Sequence, residues 1–81
     1  MIAVDSVLPN GAKVLAVARV NDLECVLIAM WIKNHRAEYV VWHSDYEGHT
    51  YWGKYHFSYA SAIQTFGQKL GIVLTENEVG V

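Results

Sequence analysis

The sequence predicts an α+β domain: an antiparallel meander of four to five strands with one C-terminal amphipathic helix packed on one face. Three observations point to it. Short runs rich in β-branched and aromatic residues recur between turn signals as far as Phe57. One of those signals, Asp45-Tyr46-Glu47-Gly48, joins two aromatic runs. After Ser58 the apolar residues change to three- and four-residue spacing. A chain of 81 residues is too short for two cores, so residues 1–81 form a single domain.

Taken in order, Ile2–Leu8 is an optional edge strand, and Leu8-Pro9-Asn10-Gly11 is a turn, with proline and glycine each supplying a backbone angle that turns demand. Lys13–Val20 is short and β-branched, hence a strand. Asn21-Asp22 tolerates left-handed angles and suits a tight hairpin, leading into a second apolar strand over Leu23–Lys33. Lys33-Asn34-His35-Arg36 is the next break, and Glu38–Asp45 the third long strand.

Asp at the first and Gly at the fourth position of Asp45-Tyr46-Glu47-Gly48 fit a type I turn closed by a left-handed glycine, the G1-bulge arrangement. That turn sets a register through His49–Phe57. Asp45 faces His49, His43 faces Tyr51, Trp42 faces Trp52, Val41 faces Gly53, Tyr39 faces Tyr55 and Glu38 faces His56. One face then carries Tyr39, Val41, His43, Tyr51, Gly53, Tyr55 and Phe57; Val40, Trp42, Ser44, Thr50, Trp52, Lys54 and His56 lie on the other.

The first face is the expected floor for the helix. Ser58 is its N-cap, Tyr59, Ala62, Ile63, Phe66 and Leu70 form its apolar stripe, and Gly71 is placed to end it. Ile72-Val73-Leu74 is then a short last strand or packing arm, and Thr75–Val81 a frayed acidic tail. Val14–Ala18 and Cys25–Ile32 are apolar on both sides, so the second sheet face also needs a cover. The choices are closure of the sheet into a barrel or a second chain. A homodimer is the preferred one, with Trp31, Trp42 and Trp52 as interface candidates.

Composition narrows the function. At 53% hydrophobic and 17% charged the chain folds and is not a disordered tail. A net charge of −2 gives no concentrated cationic surface for tracking a nucleic-acid backbone. Cys25 is the only cysteine, so no intrachain disulfide forms and a cytoplasmic location is expected. The N-terminus lacks a basic n-region and does not read as a signal peptide, and Cys25–Ile32 is too short to span a bilayer.

No motif supports catalysis. His43, Asp45 and His49 share the turn end of the hairpin and are the metal candidates, although a solvated turn stabilised by Asp45 is the plainer reading; no cofactor is expected. Glu38 and His56 make at most a surface ion pair. Cys25, in the most apolar strand, reads as a small buried hydrophobe with a raised pKa. Ser44, Ser58 and Ser61 lie outside any nucleophile elbow. Trp31, Trp42, Trp52, Tyr51 and Tyr55 are candidates for contact with a ligand or a second protein, packing being the commoner use of such rings. Lys33, Arg36 and Lys54 are the bases expected near them.

Tyr39-Val40-Val41-Trp42, Asp45-Tyr46-Glu47-Gly48, Tyr51-Trp52-Gly53-Lys54-Tyr55-His56-Phe57 and a helix holding Ala62 and Phe66 resemble a pattern in small accessory proteins of mobile elements. These are products of phages, conjugative elements and integron gene cassettes. The resemblance covers about the second half of the chain, its mark being a hairpin glycine that admits a neighbouring ring. It implies an accessory role in binding a host or phage protein, and it carries over no functional residue. The expected function is therefore non-catalytic protein binding by a homodimer. The alternative is a small-ligand or single-stranded nucleic-acid binder using the aromatic sheet surface.

Overall fold

The computed structural model describes residues 2–79, with 72–79 described by their backbone alone. Four strands, β1 (Lys13–Arg19), β2 (Glu24–Lys33), β3 (Arg36–Asp45) and β4 (Thr50–His56), precede one helix, α1 (Tyr59–Val79). The strands form a single antiparallel sheet in the order β1-β2-β3-β4, and α1 lies across one face of it. This is the predicted α+β meander. Among the described residues, no helix is long and apolar enough to cross a membrane.

The turns show why each strand stops. Gly48 N–H donates to the Asp45 carbonyl at 3.1 Å, Asp45 N–H donates to the His49 carbonyl at 3.1 Å, and Gly48 has φ +90°. That is the expected G1 turn. Leu8-Pro9-Asn10-Gly11 repeats it, with Gly11 at φ +91° and the pair Gly11 N–H to Leu8 carbonyl and Leu8 N–H to Ala12 carbonyl, both 2.8 Å. Asn34 and His35, at φ 51° and 62°, form the two-residue left-handed turn that lets Lys33 pair with Arg36, so β3 starts two residues before the expected Glu38.

The β1–β2 connection differs from expectation. Neither Asn21 nor Asp22 is left-handed; instead Val20 N–H reaches the Glu24 carbonyl at 2.9 Å, and the Asn21 side chain accepts the Leu23 N–H at 2.7 Å. Asn21 thus caps a wider loop through its side chain, and the strands are shorter than Lys13–Val20 and Leu23–Lys33 by the residues this loop takes.

The two faces of the sheet bury separate clusters. Val26, Ile28 and Val41 meet Ala62 of α1, with Phe66 and Leu70 packed around them. The Ser58 hydroxyl caps the helix, accepting from the Ser61 N–H at 3.3 Å. Gly71 does not end it: α1 runs on to Val79, so residues 72–74 are helix and no final strand forms there. Of the expected tail, 75–79 are helical, and 80 and 81 lie outside the described residues.

The second face holds Val14, Cys25, Leu27, Ala29, Val40 and Trp42, and the sheet does not close into a barrel over it. The cover is the segment Ile2–Ala12. Leu8 and Ala12 are buried in that cluster, Ile2 packs against it, and Ile2 Cγ1 comes within 3.9 Å of where a Cβ on Gly48 would lie. The segment is tied down by Asp5 N–H to the Val14 carbonyl and Val14 N–H to the Ser6 carbonyl, both 2.9 Å. Only Val7 forms a ladder bridge, to Lys13, so Ile2–Leu8 is a strap over the sheet, not an edge strand. Each large aliphatic side chain fully buried in these clusters contributes about 1.5–3 kcal/mol relative to leaving it in water.

Candidate functional site

The sheet holds one irregularity next to its most exposed aromatic ring. Between the pairs His43–Tyr51 and Val41–Lys54, β3 has one residue, Trp42, where β4 has two, Trp52 and Gly53. This is a β-bulge, and Trp52 takes its left-handed first position at φ 55°, which glycine usually fills in bulges of the G1 type. A bulky side chain there costs about 1–2 kcal/mol.

The bulge corrects the register expected from the turn alone. His43 faces Tyr51 and Asp45 meets His49 as expected, but beyond the bulge Val41 faces Lys54 and Tyr39 faces His56. Tyr55 therefore turns to the second face, beside Trp42, while Lys54 and His56 turn towards α1. His56 Nε2 is hydrogen-bonded to Thr65 Oγ1 of the helix at 2.9 Å. Glu38 does not meet His56; it is buried on the opposite face and accepts from Trp31 Nε1 at 2.7 Å.

The aromatic candidates thus separate into two groups. On the second face, Trp31 meets Trp42 edge-to-face with centroids 5.9 Å apart, and Trp42 meets Tyr55 at 6.4 Å. Trp42 is only 6% exposed within a single chain, so its ring is core. On the helix side, His43 stacks on Tyr51 at 5.6 Å, and both meet Trp52 edge-to-face, at 5.2 Å and 5.0 Å. Trp52 itself is 72% exposed.

Two lysines flank that second group. Lys69, from α1, donates Nζ to the Trp52 carbonyl at 3.0 Å. Its pKa is lowered by burial and by the charge of Lys54, which places the two ammonium groups within each other's field. Burial also lowers the His43 imidazole, helped by Lys69 and opposed by Glu24. Burial, then Glu24 and Asp45, raise the Tyr51 phenol.

The three metal candidates do not come together. Asp45 and His49 meet, Oδ2 to Nδ1 at 3.1 Å, while His43 stays with Tyr51 and Trp52. Desolvation pushes the Asp45 carboxyl up, but hydrogen bonds from His49 and from the Glu47 N–H outweigh it and hold the group below its ordinary value. Among the described residues, no group of three or more His, Cys, Asp or Glu side chains gathers as a cation would need. Cys25 is buried, and burial pushes its thiol up against a bond to Ser44, as its place in the apolar strand implies. An open cleft of about 220 Å³ lies between the two G1 turns, lined by Leu8, Pro9, Asn10, Gly48, His49 and Thr50.

Lys69 is the site residue that sequence reasoning missed. Its neighbours Phe66 and Leu70 face the sheet, and that spacing was the available signal that Lys69 lies at the edge of the packed stripe. The left-handed Trp52 had no local signal at all.

The fold defines a small antiparallel α+β meander with one covering helix and an aromatic, lysine-flanked bulge at its edge strand. No protein-family model, curated protein or solved structure matches the chain.

Proposed function

We propose that this domain is a non-catalytic binding protein that acts as a homodimer, in the accessory role that its resemblance to mobile-element products implies. The observation that carries this reading is a set of exposed apolar side chains at the end of the sheet where β2 turns into β3 and β4 passes into α1. Ile32, Phe57, Tyr59 and Ile63 are all exposed there, although the chain's own core is already closed. Arg36 lies over the Phe57 ring at 4.2 Å, and Tyr59 packs on Tyr39 at 5.3 Å. Aromatic residues and arginine are what buried interface centres are enriched in, and a twofold axis through such a patch makes it self-complementary. The interface therefore centres on Phe57, with Trp42 left inside each protomer. A cytoplasmic location belongs to the same proposal, and a buried, unpaired Cys25 thiol accords with it.

Light scattering coupled to size exclusion, across a tenfold or greater dilution, tests this reading. The expected result is a dimer for the native chain and a folded monomer for Phe57→Glu. A native chain that is monomeric throughout overturns it, and a Phe57→Glu variant that stays dimeric removes this patch from the interface.

A further inference from the structure

We propose that Trp52, Lys54 and Lys69 form a binding site for a nucleotide-class ligand, its base stacking on the exposed indole and its phosphate held by the two ammonium groups. Trp52 lies in the first half of β4, away from Phe57, and the site does not depend on the dimer.

The geometry of the bulge is the argument. In an unbulged ladder Lys54 would share a face with Trp42, away from the helix. The extra residue in β4 turns Lys54 to the helix side, the side from which Lys69 of α1 reaches the Trp52 carbonyl, and the residue that makes this turn is the strained Trp52 itself. One distortion therefore projects a large ring and turns Lys54 to the side from which Lys69 meets Trp52. Strain of this kind persists where the surroundings hold it in place and gathers at functional sites.

The ring is already oriented. Tyr51 and His43 meet it edge-to-face, so a stacking ligand would not have to order a freely rotating side chain. Lys13 and Arg19 are paired with Asp5 and Asp22, and Arg36 sits on Phe57, whereas Lys33, Lys54 and Lys69 join no ion pair among the described residues. Ammonium groups outside ion pairs attract a multiply charged anion, and aromatic stacking of a base needs only an open π-face. A net charge of −2 over the chain favours a ligand of one or two nucleotides over a long strand.

The test is titration of the full chain with adenosine 5′-monophosphate, with adenosine, and with oligothymidylates of increasing length, read by the tryptophan indole N–H resonances. The monophosphate should shift the Trp52 indole signal saturably while leaving Trp42 in place. Loss of the phosphate, or Lys54→Gln with Lys69→Gln, should weaken binding by about tenfold. Trp52→Leu, a change at an exposed ring, should abolish binding while the fold is retained. Tightening with oligothymidylate length would show that the nucleotide comes from a single strand, and equal affinity for all lengths that it is free. No shift of Trp52 at millimolar monophosphate overturns the proposal, as does equal affinity for adenosine and its monophosphate.

Discussion

The Trp42 indole occupies the place where a side chain on Gly53 would begin. A Cβ there would lie 2.6 Å from Trp42 Nε1 and 2.9 Å from Cδ1, closer than real contacts allow. Gly53 is not left-handed, so close approach of a neighbouring ring, and not backbone freedom, is what requires glycine here. The same ring touches Trp31 and Tyr55, so moving it disturbs the aromatic row across three strands.

Gly53→Ala should therefore destabilise the domain by about 1–3 kcal/mol, the usual cost of overpacking. The check is the urea midpoint, together with a change in tryptophan emission as Trp42 is displaced. An unchanged midpoint would mean that the indole has room to shift.

Stability should fall on mild acidification because of His43. Burial between Tyr51 and the sheet, aided by Lys69 and only partly countered by Glu24, lowers its pKa below the ordinary 6.5. The unfolded chain then binds more protons than the native one in the window below 6.5. The contribution is complete above 6.5 and is lost as the pH drops towards the folded value. Asp45 is depressed from 3.8, so its contribution is lost only at lower pH and is separable. Urea midpoints across this range should decline for the native chain and stay level for His43→Phe; a parallel decline in the variant would assign the effect elsewhere.

Gly71 lies inside α1, and nothing is within 4 Å of where its Cβ would be. Gly71→Ala should raise stability by about 0.5–1 kcal/mol and add helical signal in circular dichroism, because alanine restricts the unfolded chain without meeting an obstacle. If the helix stopped at Gly71 in a left-handed cap, the substitution would destabilise by a similar amount.

The strands, the G1 turn at Asp45–Gly48, the presence of a turn at Leu8–Gly11 and the capped start of the helix were legible because each depends on residues adjacent in sequence: Asp45 with Gly48, Pro9 with Gly11, Ser58 with Ser61. The helix end was misread because a glycine that often terminates a helix is also tolerated within one. Likewise Asn21 was assigned a left-handed angle when its side chain could close the loop by itself.

By itself, the sequence determined the alternation of strands and turns, the apolar stripe holding Ala62, Phe66 and Leu70, and the need to cover both sheet faces. Only the tertiary structure decided what covers the second face and which rings share a side. The strap from Ile2 to Ala12 is chosen by its fit against Leu27, Val40 and Trp42, residues far away in the chain. The bulge at Trp52 sets Gly53 against the Trp42 ring across the ladder, a pairing of residues far apart in the chain. Because side chains alternate every residue, that single inserted position sends Tyr55 to one face and Lys54 to the other, the face that α1 covers.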